Sequence, residues 1–96
     1  MNRAKVYELI DGEREYQLQR PIIKNAKFPY RDEDHSIADW LIYMEWHLER
    51  AKLYIYNLDF TKALSEIRKV TALGVACMEH NETPPRNVGC DTMMND

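Results

Sequence analysis

The sequence has little that would cross-link it, anchor it in a bilayer or spread it along nucleic acid. It holds two cysteines in 96 residues. Cys77 falls in a helical pattern and Cys90 in a polar stretch, so there is neither a disulfide framework nor a zinc signature, and both read as free thiols. No apolar run approaches the ~18 residues that span a bilayer. Positive charge is not in excess: the net charge is -3. That argues against general nucleic-acid binding, which needs a positive surface to displace counterions. No histidine neighbours a serine or cysteine so as to suggest an activated nucleophile, which removes hydrolase triads. The opening Met-Asn-Arg-Ala-Lys-Val carries charge but no apolar core and no small-residue cleavage site. A secretory signal is therefore not expected, and the cytosol is the expected location, the host cytosol if the chain is phage-encoded. No internal repeat or low-complexity tract interrupts the sequence.

What remains is a globular composition, 45% apolar and 30% charged, in a chain short enough for one domain. At this size a single core stabilises only modestly, and self-association often supplies further buried area. The expected fold class is all-α: a three-helix unit with a long antiparallel helical hairpin, assembled as a homo-oligomeric bundle. The domain is expected over residues 1–83, with helices over 3–19, 37–56 and 60–79, a basic arm over 20–34 and a tail over 84–96.

The first helix rests on Val6, Leu9, Ile10 and Tyr16 at helical spacing, with Asp11-Gly12 as a break and restart point and Pro21 as its stop. Ser36 followed by Asp39 gives a near capping box for the second. Along that helix Ile37, Leu41, Met44, Leu48, Ala51 and Ile55 form one stripe, while Ile42, Trp46 and Leu53 lie nearly opposite. Two apolar faces imply two partners: the monomer core, and either a second subunit or another part of the same chain. Asp59 is the expected N-cap of the third helix, whose core stripe is read as Phe60, Ala63, Leu64, Ile67, Thr71, Val75 and Met78. The short Asn57-Leu58-Asp59 link makes the two helices an antiparallel hairpin.

Two constellations could carry chemistry. Glu45 and Glu49, four apart on one helix, present oxygen donors about a turn apart, as Mg²⁺ or Mn²⁺ requires. Acids at that spacing are also common on solvated faces. Glu66 adds weight because Val70, Leu73 and Cys77 line up beyond it, putting an acid at the head of an apolar strip. The metal set is therefore Glu45, Glu49 and Glu66. Lys69 stands where a fourth oxygen would be wanted, and its ammonium could pair with Glu66 or meet a phosphate directly. The second constellation is the arm, where Arg20, Lys24, Lys27 and Arg31 interleave with Phe28 and Tyr30, a mix that grips phosphate and stacks a base. A solvated basic loop with core-packed aromatics is the plainer reading. The ligand-binding set is Arg20, Lys24, Lys27, Tyr30, Arg31 and Lys69.

Over Glu13-Arg14-Glu15-Tyr16-Gln17, His35-Ser36-Ile37-Ala38-Asp39-Trp40-Leu41, Glu45 to Glu49, and Glu66 to Glu79, the chain resembles the small phage-encoded branch of the MazG-like all-α nucleoside triphosphate pyrophosphohydrolases. The resemblance implies an obligate oligomer that binds Mg²⁺ and cleaves nucleotides between the α and β phosphates. It would use a Glu-Glu-x-x-Glu run on one helix and a Glu-x-x-Asp pair on the next. Glu45 and Glu49 match the outer acids of the run and Glu66 the first acid of the pair. Trp46 replaces the middle acid and Lys69 the last.

The leading expectation is a small phage-type helical protein that captures or sequesters a nucleotide or nucleotide-derived signal, in a role that could counter host defence, without efficient catalysis and without a cofactor. One alternative is an Mg²⁺-dependent pyrophosphohydrolase working with three acids, Asp39 or a neighbouring subunit completing the shell. Another is an inhibitor that binds a host protein through Ile42, Trp46 and Leu53 or through the tail.

Overall fold

The computed structural model describes residues 1–23 and 32–86, with side chains left out for residues 20–23. Three helices and a single 3₁₀ turn make up the described chain: α1 Arg3–Ile23, the turn Asp32–Asp34, α2 Ile37–Tyr56 and α3 Phe60–Glu79. Among the described residues there is no strand, and no helix is long and apolar enough to cross a membrane.

The second and third helices begin and end at the expected residues, because their ends are chemically marked. Ser36 Oγ accepts from Asp39 N at 3.1 Å while Asp39 Oδ2 accepts from Ser36 N at 2.9 Å, a reciprocal capping box that satisfies two orphan amides. Asp59 Oδ1 accepts from Lys62 N at 3.1 Å at the head of α3. Between the helices Leu58 adopts φ 60°, a left-handed conformation that reverses the chain in three residues. Its amide closes on Ile55 O at 3.0 Å, and that of Asp59 on Tyr54 O at 2.8 Å. The backbone carbonyls at the end of α2 are thus satisfied within the turn.

α1 differs from the expectation. It runs unbroken through Asp11-Gly12 and past Pro21 to Ile23. Pro21 withholds the one N–H that would meet the carbonyl of Gln17, but the missing bond falls in the last turn, where a helix loses least.

α3 is the central element, packed on α2 along the hairpin and on α1 along another side. It carries small residues at those approaches: Ala63, Ala72 and Ala76 are buried, as is Ala51 on α2, and Trp40 is the only large apolar side chain buried among the described residues. Gly74 faces α2, where an added Cβ would stand 3.9 Å from Met44 Sδ. The core stripe expected on α3 is therefore corrected. Ala63 is buried, but Phe60, Leu64, Ile67 and Met78 are exposed. On α2, likewise, Ile37, Leu41, Leu48 and Ile55 are exposed, and of the expected stripe only Ala51 is fully buried. Alanines thus make up most of the buried apolar positions among the described residues, and bulkier residues on the same helices are left exposed.

The docking of α1 is a further departure. Val6, Leu9 and Tyr16 are exposed, and the buried side chains among those described on this helix are Glu13 and Arg14. Glu13 Oε1 accepts from Arg68 Nε at 2.8 Å. Arg14 forks onto Glu79, with Nε and Nη2 each 3.1 Å from a carboxylate oxygen, and also donates to Asp32. Burial opposes the Arg14 charge, but hydrogen bonds to Glu79 and Asp32 outweigh it and hold the guanidinium pKa above its ordinary value. Bidentate Arg–carboxylate geometry thus helps to position α1.

Candidate functional site

Buried charge marks the place where chemistry concentrates. Glu66 is 2% exposed and is the largest fully buried side chain of the described residues. It projects from α3 towards a face of α2 on which His47, Arg50 and Tyr54 succeed each other at helical spacing. His47 Nδ1 donates to Glu66 Oε2 at 2.6 Å. Arg50 Nε and Lys69 Nζ each approach Glu66 Oε1 at 3.3 Å. Because an ionised carboxylate only accepts, the contact places the His47 proton on Nδ1. Burial pushes the Glu66 pKa up, yet the hydrogen bonds from His47, Lys69 and Arg50 outweigh burial and hold it below the ordinary carboxylate value.

The cations of this cluster are less enclosed than the acid they surround. The side chains of Arg50 and Lys69 are 41% and 36% exposed. Arg50 is held between aromatic rings, its guanidinium 4.7 Å from the Trp46 centroid and 5.9 Å from that of Tyr54, while Nη2 donates to the Tyr54 hydroxyl at 3.2 Å. Such stacking fixes a planar cation while leaving its other N–H groups available. Gln17 Nε2 donates to Lys69 O at 3.3 Å, which joins α1 to the same end of the cluster.

The expected metal set does not converge. Glu66 spends its oxygens on three nitrogen donors, Glu49 pairs with Lys52 at 3.2 Å, and Glu45 and Glu49 are exposed on the wall of an open apolar groove. Asp39, weighed as a completing ligand, is engaged in the α2 cap. Among the described residues no three His, Cys, Asp or Glu side chains gather so as to hold a metal ion. Lys69 pairs with Glu66, the internal alternative of the two open from sequence. Arg20, Lys24, Lys27, Tyr30 and Arg31 lie outside the residues whose side chains are described.

His47 and Arg50 were not singled out from sequence as partners of Glu66. The available signal was their position three apart on the helix facing it, with a tyrosine four further on. The groove is the other large feature, a cavity of about 870 Å³ between α2 and α3 walled by Ile42, Trp46, Ile55, Phe60, Leu64 and Ile67. Comparison with known proteins finds no matching family model, no matching curated protein and no matching solved structure.

Proposed function

We propose that the protein binds a nucleotide or nucleotide-derived phosphorylated ligand at the Glu66 cluster, as a homo-oligomer, and retains it without efficient turnover. The observation that carries this reading is the imbalance of charge: two permanent cations, Arg50 and Lys69, together with His47, converge on one buried carboxylate. Glu66 neutralises one positive charge and orients the donors; the remaining positive charge sits on the partly solvated guanidinium and ammonium groups. That is the chemistry of phosphate recognition, with a planar fork and a point charge side by side. An oxygen-rich pocket for Mg²⁺ would instead need carboxylates free of such partners. The reading keeps the MazG-like helical scaffold suggested by the sequence and gives up its metal-assisted hydrolysis.

Self-association is proposed on a separate ground. Among the described residues the buried apolar side chains are one tryptophan and a few alanines, while large apolar side chains lie exposed on all three helices. Exposed apolar surface on that scale marks an interaction face.

Isothermal calorimetry with nucleoside triphosphates, dinucleotides and cyclic oligonucleotides tests the ligand. At least one should bind, and Lys69→Ala should weaken it about tenfold, the loss of one charge-assisted contact. Silence across the panel, or binding indifferent to both Lys69→Ala and Arg50→Ala, contradicts the proposal.

A further inference from the structure

The α2 lining of the apolar groove has an internal symmetry. The positions that α2 contributes are 42, 45, 46, 48, 49, 51, 52 and 55, and reversing the helix about a point between Leu48 and Glu49 carries this set onto itself. Ile42 and Ile55 exchange ends. Glu45 and Lys52 exchange places, and these are opposite in charge. Trp46 and Ala51, and Leu48 and Glu49, exchange unlike residues, so complementarity to an antiparallel copy rests on the isoleucines at the two ends and on the Glu45/Lys52 exchange, which sets an acid against a lysine.

From this we propose that the groove is closed by α2 of a second copy of this chain, packed antiparallel about a two-fold axis between Leu48 and Glu49. Glu45 of each subunit would then meet Lys52 of the partner subunit. The inference rests on the self-association proposed above and is independent of the ligand. Isologous contact is the form two identical patches take when they close on each other, and each contact occurs twice. The apolar wall on α3 supplies the surface to be covered: Phe60, Leu64 and Ile67 are 57%, 68% and 44% exposed. In the monomer the Lys52 ammonium is 3.2 Å from Glu49 and its side chain 65% exposed. It can reach across an interface while still offsetting Glu49, the acid nearest the axis.

Charge reversal distinguishes this register from other modes of association. Sedimentation equilibrium should give a dimeric, or higher even-numbered, mass for the wild-type protein. Glu45→Lys and Lys52→Glu should each weaken the dimer roughly tenfold or more, because a favourable pair becomes a repulsive one twice over. The double variant should return to within about threefold of wild type. Both sites are on the surface, so helix content by circular dichroism should be unchanged. A wild-type chain that associates, but in which the single reversals have no effect or their effects add in the double variant, overturns the register and leaves self-association standing. A monomeric wild-type chain overturns both.

Discussion

His47 on α2 and Glu66 on α3 meet at 2.6 Å between Nδ1 and Oε2, the shortest of the contacts that tie the hairpin to its buried acid. Because the carboxylate is almost fully enclosed, its charge is tolerable only while its donors are in place. Glu66 is thus a structural anchor for the cations as well as the reason they converge.

Glu66→Gln removes the charge and keeps the shape. It leaves Arg50 and Lys69 together without their counter-ion, and it should destabilise the fold by about 3 kcal/mol, the low end of breaking a buried pair, since both cations can partly rehydrate. Lys69→Ala should cost less, about 1 kcal/mol, because two donors to Glu66 remain. Urea denaturation of the three proteins measures the ranking; equal effects would remove Glu66 from the centre of the cluster.

The lowered pKa of Glu66 sets the sign of an acid dependence. A carboxyl whose folded value lies below its unfolded value contributes stability that is fully present above the unfolded value, about 4.3 for glutamate. That contribution is lost as pH falls through the lower, folded value. Wild-type stability should therefore fall more steeply below about pH 4 than that of Glu66→Gln. Parallel acid limbs would show that Glu66 is not the group responsible.

Arg14 holds α1 through a fork that lysine cannot reproduce. Arg14→Lys keeps the charge but loses the two parallel bonds to Glu79, and should cost about 2 kcal/mol. The loss should be local to α1: hydrogen exchange is expected to accelerate in residues 3–19 and to change little in α2. Uniform acceleration across all three helices would show that α1 unfolds only with the whole chain.

The helix hairpin stores strain at Leu58, whose φ of 60° is costly for a side chain with a Cβ. Leu58 is 75% exposed, so little packing is lost on shortening it. Leu58→Gly should raise stability by about 0.5–1 kcal/mol after the extra unfolded-state freedom of glycine is counted. Thermal melting checks this, and a lowered midpoint would contradict it.

The parts of this structure legible in the sequence are those with local chemical markers. Ser36, Asp39 and Asp59 fix helix starts through hydrogen bonds within four residues, so the starts of α2 and α3 follow from spacing alone. Glu66, heading the Val70, Leu73, Cys77 strip, stands apart from a solvated acid in the sequence, where it reads as a metal ligand; in the structure it is buried among nitrogen donors. The covered face of α3 was not legible, because Leu64 and Ile67 on one side and Val70 and Leu73 on the other give comparable apolar patterns, and periodicity does not say which side a neighbour occupies. Nor was α1, whose contact residues Glu13 and Arg14 resemble a solvated face until Arg68 and Glu79 are brought beside them. His47 and Arg50 became site residues only when the hairpin placed them against α3.

Three nitrogen donors occupy Glu66, and the function proposed from them is anion binding without a metal. Calorimetry of the tightest-binding nucleotide in excess EDTA, and again in Mg²⁺ with pyrophosphate release followed in parallel, tests it most directly. Binding in EDTA of comparable affinity, with no pyrophosphate in either buffer, is the expected result. Binding only in Mg²⁺, accompanied by pyrophosphate release that Glu66→Gln abolishes, would contradict it.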